Sequence, residues 1–259
     1  LNAIRRSTRM DSPLQEALLC VFSSILKPCS QWQKRAIKPT LHVDKIPSEV
    51  LLTFLRQAEA LGLAIDEAGD LSDRPPPAIH LGSALTVDPP QGGVDLLVSS
   101  PPYVTSYEYA DLHQLSSLFL GYADDYRTLR QGSIGSTHHH FHLRKGVGHL
   151  NGTATRVVFS LYEHDKRAAQ SIANYFVDMQ QIAVRARRIV RPGGIAMFVI
   201  GNTQYHGIDI DNAGHLTEAM LHAGFKRVRA LKRTISNKAA TPYRTPTGRF
   251  SRTRTANHI

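Results

Sequence analysis

The sequence predicts an α/β fold in which a parallel sheet is built through helical crossovers. Two short apolar runs, 94–98 and 195–200, are bounded by glycine and proline, as buried parallel strands are. Between them, residues 164–190 carry apolar side chains at helical spacing. A helix between two buried strands is the pattern of a crossover, so we expect ligands at the carboxyl ends of these strands.

The first part of the chain is predicted to be helical. Residues 13–27 begin with Pro13 and have helical apolar spacing, and residues 47–61 repeat the pattern until Gly62. A linker over 70–78 contains three consecutive prolines and marks a boundary. We therefore expect an N-terminal helical segment over 1–75 and a sheet-containing part over 76–259.

The second part alternates strands and helices in an order that continues the crossover pattern. A long loop over 132–155, rich in glycine, serine, threonine and histidine, interrupts it. The other predicted elements are strands at 78–82, 94–98, 195–200 and 225–235 and helices at 110–122, 164–190 and 212–223.

Composition excludes several classes of protein. The 259 residues are 42% apolar, with a mean hydropathy of −0.24, which argues against a disordered chain and a membrane protein. No secretory signal is recognisable, and Cys20 and Cys29 have neither disulfide-scaffold nor zinc spacing. These features predict a cytoplasmic protein with reduced cysteines. A start at Leu1 instead of Met would fit a cleaved or truncated chain.

Positive charge is concentrated in the C-terminal tail. The net charge is +10, and residues 226–259 hold ten lysines and arginines without an acidic residue, so the rest of the chain is neutral. A basic, aromatic-containing tail favours contact with a nucleic-acid backbone, although a solvated face remains the alternative. The candidate contact residues are Arg233, Lys238, Arg244, Arg249 and Arg252.

One motif after the first apolar run carries the chemistry. Ser99, Ser100, Pro101, Pro102 and Tyr103 follow the 94–98 strand directly. The prolines fix φ and remove two backbone donors, which favours a rigid turn with outward carbonyls. A hydroxyl and a carbonyl can accept the two hydrogens of an exocyclic amine, and an aromatic ring can stack on the base. Alone, Pro-Pro-Tyr is equally a common loop or a proline-rich interaction site.

In its context, this motif resembles that of the amino-methylating DNA methyltransferases. The similar segments are Val94–Tyr103, Ser106–Tyr109, Leu118–Gly121, Ile189–Asn202 and Ile79–Ala84. The resemblance implies a Rossmann-like fold, incomplete in this chain, and methyl transfer from S-adenosylmethionine to the amine of a flipped base. Serine at the first motif position favours cytosine N4, while adenine N6 or an RNA substrate is the alternative.

The resemblance also implies roles for individual residues. Ser100, Pro101, Pro102 and Tyr103 would be catalytic. Contacts to the cofactor would come from Ser83, Ala84, Ser99 and Asn202, although Ser83 stands where the family usually has Asp.

The glycine-rich cofactor loop of the family is not recognisable in this chain. The family carries Asp-Pro-Phe-x-Gly-x-Gly after the first strand, whereas Gly69, Gly92-Gly93 and Gly146–Gly148 follow no apolar strand. We expect a split enzyme in which a second polypeptide supplies the loop. The alternative is a non-catalytic nucleic-acid-binding subunit of a modification or defence complex, such as a restriction–modification system.

A histidine cluster lies in the predicted long loop. His138, His139, His140 and His142 are nearly consecutive, and adjacent histidines on a loop rarely converge on one ion. We therefore predict no metal site and expect a DNA-facing or disordered loop, with the role of the cluster left open.

Overall fold

The structure is a computed structural model of the chain. It describes residues 1–33, 36, 40–70, 75–104, 109–130, 133–134 and 147–232, together with the backbone of 243–244 and 250–251. The chain divides into two compact units, and each is described by itself. The first unit comprises Leu1–Leu81 with Tyr107–Gln131, and the second comprises Gly82–Ser106 with Gly132–Ile259. The predicted division at residues 75 and 76 stays a prediction.

Helices make up the regular structure of the first unit. Ser12 caps α2 by accepting a hydrogen bond from the Gln15 amide, and Pro13 occupies the first turn, as the sequence predicts. The prediction that the next helix ends at Gly62 is wrong, because α3 continues to Ala68 and ends at Gly69, whose φ is +68°. The helices are α1 (Asn2–Ser7), α2 (Pro13–Ile25), α3 (Val50–Ala68), α4 (Tyr109–Leu112) and α5 (Gln114–Leu120).

Helix α2 organises the packing of this unit. The rings of Phe22 and Phe119 meet edge to face at 6.3 Å, and the hydroxyls of Ser23 and Ser116 are 2.7 Å apart. These two contacts join α2 to α5. Helix α3 packs against α2 but buries none of its residues completely.

The second unit contains the parallel pair that the sequence predicts. Strand β1 (Val94–Ser99) pairs with β2 (Val190–Phe198) in a register that aligns Leu96 with Ile195 and Ser99 with Phe198. Helix α6 (Gly152–Tyr162) and helix α7 (Lys166–Ile189) precede β2. Strand β2 begins at Val190 instead of 195, because Pro192 and the two following glycines lie within the strand.

Two glycines permit the close approach of these strands. A Cβ on Gly93 would lie 2.8 Å from the Ile189 carbonyl oxygen, and Gly93 has a φ of +71°. A Cβ on Gly194 would lie 2.8 Å from the Asp95 carbonyl oxygen. Real Cβ contacts are not this short, so any side chain at either position would push the strands apart at their amino ends.

The core lies on one face of the sheet. Helices α6, α7 and α8 (Asn212–His222) enclose it with a hairpin of β3 (Thr203–Tyr205) and β4 (Ile208–Ile210). Ala196, Phe198 and Ile200 pack against this cluster from β2 and the residues after it. The fully buried apolar residues are Ala154, Val158, Leu161, Ala169, Ala173, Phe176, Met179, Ala183 and Ile210.

Three sequence predictions for residues 76–259 are wrong, and one hairpin was missed. Residues 78–82 form no strand, and residues 225–232 form none either, while the rest of the predicted final strand lies outside the described residues. The predicted 132–155 loop overlaps α6, and the β3–β4 hairpin was not predicted. Tyr243–Arg244 pairs antiparallel with Phe250–Ser251 as strands β5 and β6.

The mixture of helices with a parallel strand pair agrees with the predicted α/β class. Across the described residues, no helix is both long enough and apolar enough to cross a membrane.

Candidate functional site

The predicted catalytic motif lies at the carboxyl ends of β1 and β2. The Ser100 hydroxyl donates to the Val199 carbonyl oxygen at 3.3 Å, and the Val199 amide donates to the Ser99 carbonyl oxygen at 2.9 Å. Both bonds continue the contact between the two strands into the residues that follow them. Because the Ser100 proton is engaged, the exposed oxygen of this hydroxyl is left with acceptor capacity only.

The residues after Ser100 anchor the motif. Pro101 is buried, Pro102 and Tyr103 are half-buried, and Val104 is 4% exposed within the core cluster. Burial at Pro101 and Val104 fixes the turn from the side of the core.

Asn202 holds the residues after β2 to the start of α8. Its side-chain amide donates to Asp211 Oδ1 at 2.9 Å, and its oxygen accepts from the Ala213 amide at 2.9 Å. One turn of α8 also reaches Gly201, whose carbonyl accepts from Asn212 Nδ2 at 2.9 Å. The predicted cofactor contact at Asn202 stays a prediction, while the described contacts give this side chain a positioning role.

Two buried polar side chains of α8 were missed by the sequence analysis. Asn212 is fully buried and His215 is 1% exposed, with its ring 4.3 Å from that of Phe176. Asn212 Oδ1 and His215 Nε2 are buried, and neither atom has a hydrogen-bond partner among the described residues. Burial lowers the pKa of His215 from 6.5 to about 4, against the opposing influence of Glu218 and of a hydrogen bond to the Phe176 backbone. Their spacing of three residues within the predicted helix was the sequence signal that could have identified them.

Ser83 and Ala84, the other predicted cofactor contacts, lie in a tight turn. The Ser83 hydroxyl oxygen accepts from the Leu85 amide at 3.2 Å, and the Ser83 carbonyl accepts from the Val87 amide at 2.8 Å. Ala84 is exposed. The described hydrogen bonds of Ser83 lie within its own turn. The Arg185 guanidinium, on α7, donates to the Val87 carbonyl and thereby joins the turn to α7.

The described residues do not form a complete site for S-adenosylmethionine. A glycine-rich loop that binds such a group follows a strand and leads into a helix. In the part of the chain described here, β1 is followed by Ser100 and the prolines, and β2 is followed by Gly201 and the β3–β4 hairpin. The glycine pair 92–93 precedes β1, at the opposite end of the strand.

Most residues of the predicted DNA contact lie outside the described part of the chain. These are Arg233, Lys238, Arg249 and Arg252, and only the backbone of Arg244 is described, within β5. The histidine cluster, 138–142, also lies outside it. Among the described residues, no group of three or more histidine, cysteine or acidic side chains is arranged to hold a metal ion.

Comparison with known proteins finds relatives among the methyltransferases. The chain is 25% identical over 165 residues to the type II methyltransferase M.MvaI of Kocuria varians, covering 60% of this chain and 36% of that protein. It is also 25% identical over 232 residues to the type II methyltransferases M.AvaI of Nostoc sp. and of Anabaena variabilis, covering 76% of this chain and 48% of those proteins.

The chain resembles type II methyltransferases in sequence. It spans less than half the length of the curated relatives that it matches. No family model matches the chain, and no solved structure matches it. The similarity supports a methyltransferase.

Proposed function

We propose that this chain is the catalytic-motif part of a DNA methyltransferase that acts on the exocyclic amine of a flipped base. S-adenosylmethionine is the methyl donor of this reaction, and cytosine N4 is the favoured acceptor. The observation that carries the proposal is the Ser100–Val199 hydrogen bond at the carboxyl ends of a parallel strand pair. The similarity to type II methyltransferases supports methyl transfer to DNA.

The residues of this chain act on the acceptor base. An exocyclic amine has two hydrogens, and the Ser100 oxygen and the Pro101 carbonyl would each accept one. Holding both hydrogens turns the nitrogen lone pair towards the methyl group and fixes its direction of attack. The nitrogen–carbon bond would form as the carbon–sulfur bond of the sulfonium donor breaks, which leaves a neutral thioether. The methylated amine would then lose its proton to solvent, so no strong general base is needed, and positioning supplies much of the rate.

Tyr103 would hold the base in the slot by stacking. Base–aromatic stacking contributes about 1–3 kcal/mol per base. The rigid turn at Pro101 and Pro102 would keep the ring and the Ser100 oxygen at a fixed spacing, so that the amine reaches the acceptors when the base stacks.

The donor is proposed to be held by a second polypeptide that carries the glycine-rich loop. The described residues of this chain do not provide such a loop at the carboxyl end of a strand. Contacts from Ser83, Ala84, Ser99 and Asn202 would complete the donor site from this side. The basic residues of 226–259 would contact the DNA backbone.

Methyl transfer from labelled S-adenosylmethionine to plasmid DNA tests the proposal. The chain is assayed in its native complex and alone, and the digested DNA is analysed for N4-methylcytosine and N6-methyladenine. We expect the complex to transfer label, and we expect Ser100→Ala to lower kcat about 100-fold, because one preorganised polar contact is worth about that much.

Control variants at Ser24 and Tyr103 distinguish the role of the motif from a general effect of removing a side chain. Ser24 also donates its hydroxyl to a backbone carbonyl, that of Val21 at 2.7 Å, so Ser24→Ala removes the same kind of bond away from the motif. We expect Ser24→Ala to leave the rate unchanged. Tyr103→Phe keeps the stacking ring and should retain most activity, whereas Tyr103→Ala should lose it. Equal effects of Ser100→Ala and Ser24→Ala would contradict the proposed role of Ser100.

The alternative function, a nucleic-acid-binding subunit without catalysis, predicts a different outcome. A complex that binds DNA with a steep salt dependence but transfers no label would favour it. In that case, Ser100→Ala would leave DNA binding unchanged, and the basic tail would be the main functional feature.

A further inference from the structure

The two faces of the β1–β2 sheet differ in burial. The inner face packs on the core through Ala196 and Phe198. The opposite face, called the outer face below, carries five apolar side chains that are about half exposed or more. They are Leu96 at 56%, Val98 at 57%, Ile195 at 64%, Met197 at 50% and Val199 at 52%.

The outer face is a contiguous apolar surface, because the register aligns its members. Leu96 lies opposite Ile195, and Val98 lies opposite Met197. Parallel strands occur almost entirely in sheets whose two faces are both covered, usually by helices. A contiguous exposed apolar patch of this kind marks an interaction surface.

The outer face ends at the catalytic motif. Side chains alternate along a strand, so Leu96, Val98 and Ser100 share one side of β1 and its extension, and all three are exposed. A polypeptide on the outer face would therefore lie beside the Ser100 hydroxyl and would form one wall of the slot that the motif opens.

The topology indicates what kind of polypeptide this is. Each strand of the pair has one edge without a strand partner among the described residues, and two strands alone are marginally stable. A unit of one strand and one amphipathic helix would pair with an edge and place its apolar helix face on the outer face. A loop between such a strand and helix is also where a glycine-rich anion site is built.

We propose that the outer face is the docking surface for a strand–loop–helix unit of the second polypeptide. The M.AvaI relatives match this chain over only 48% of their length, so more than half of their polypeptide lies outside the match, which is more than such a unit requires. The identity of the occupant rests on the proposed function, whereas the exposure of the face does not. Covering the face brings the glycine loop and the Ser100 slot together.

Site-directed photo-cross-linking tests this proposal in the host cell. A photoreactive phenylalanine analogue replaces Val98 on the outer face, and in a matched control it replaces Leu221, which is 50% exposed on α8. The cross-linked polypeptides are identified by mass spectrometry. We expect Val98 to cross-link to a polypeptide with a strand, an Asp-Pro-Phe-x-Gly-x-Gly loop and a helix, and we expect Leu221 not to.

A second pair of variants measures the effect on assembly. Met197→Lys places a charge in the centre of the outer face, and Leu221→Lys places one on α8. Both positions are half exposed, so both variants should fold, which circular dichroism checks. With the identified polypeptide, Met197→Lys should weaken association at least 100-fold, and Leu221→Lys should weaken it less than threefold.

Several outcomes would overturn the proposal. Cross-linking of Val98 only to a second copy of this chain would assign the face to self-association, and absence of any cross-link would leave the face uncovered. Equal weakening by both lysine variants would also contradict it. The proposed function fails separately: a complex that forms through Val98 but transfers no methyl group refutes the activity, while methyl transfer by the chain alone refutes the docking surface.

Discussion

The inner and outer faces of the β1–β2 sheet have similar side chains and opposite surroundings. Phe198 on the inner face packs on a core that includes Phe176, which is fully buried. Met197, the preceding residue of the same strand, is 50% exposed. The comparison shows that apolar composition determines where a strand forms. The burial of each face of the sheet depends instead on which other elements pack against it. Substitutions on the two sides should therefore have different costs.

The largest expected difference is between Phe176→Ala and Met197→Ala. Truncation of a buried phenylalanine costs about 3–5 kcal/mol through lost contacts and a cavity, whereas truncation at an exposed position usually changes stability by about 0.5 kcal/mol or less. Urea unfolding of the isolated chain measures both. Similar losses for the two variants would show that the outer face is covered within the chain itself.

The second prediction concerns pH and the same core. His215 has a folded-state pKa of about 4 against an ordinary value of 6.5, so the unfolded chain binds the additional proton between these values. Stability should therefore fall as pH is lowered from about 6.5 to about 4, by about 3 kcal/mol in total for this group, and fall no further from this cause below that range.

The pH profile of unfolding for His215→Phe checks this origin. Phenylalanine keeps an aromatic ring against Phe176 and removes the titration, so the variant should lose this part of the slope. His222→Gln, an exposed change on the same helix, is the control and should keep it. A slope that survives in His215→Phe would assign it to other groups.

A smaller effect on stability is expected for the residues after β2, next to the candidate site. Asn212→Ala removes the donor to the buried Gly201 carbonyl, and an unsatisfied buried carbonyl costs about 1–3 kcal/mol. Gln204→Ala removes an exposed hydrogen bond to Asp209 and should change stability by about 0.5 kcal/mol or less. Thermal unfolding of both variants gives the comparison. An equal shift would contradict the role assigned to Asn212.

The long elements of the fold could be predicted from the sequence. Helix α7 has eight buried residues at helical spacing and an Asp165 cap, and four of the six residues of β1 are apolar, so local pattern and final structure agree. Helix α6 was missed because Gly152 and two threonines in its first turns are weak helix formers. Its stability comes from tertiary burial of Ala154 and Leu161.

Only the backbone conformation of the candidate site could be predicted from the sequence. The turn after β1 is encoded locally by Pro101 and Pro102. The partners of the side chains are not encoded locally: Ser100 meets Val199, which is 99 residues away in the chain. The short β3–β4 hairpin turns at His206 and Gly207, with φ values of 50° and 79°, and a histidine there gives little turn signal.

Gly194 has a consequence for the other end of the sheet. The regular parallel register begins at the Leu96–Ile195 pair, after an irregularity between Val94 and Leu96. Gly194 directly precedes Ile195, and a Cβ there would lie 2.8 Å from the Asp95 carbonyl oxygen, so glycine allows β2 to lie this close to β1 where the regular pairing starts. From that pair the register continues without a shift to Ser99 and Phe198, so the pairing at one end determines that Ser100 meets Val199 at the other.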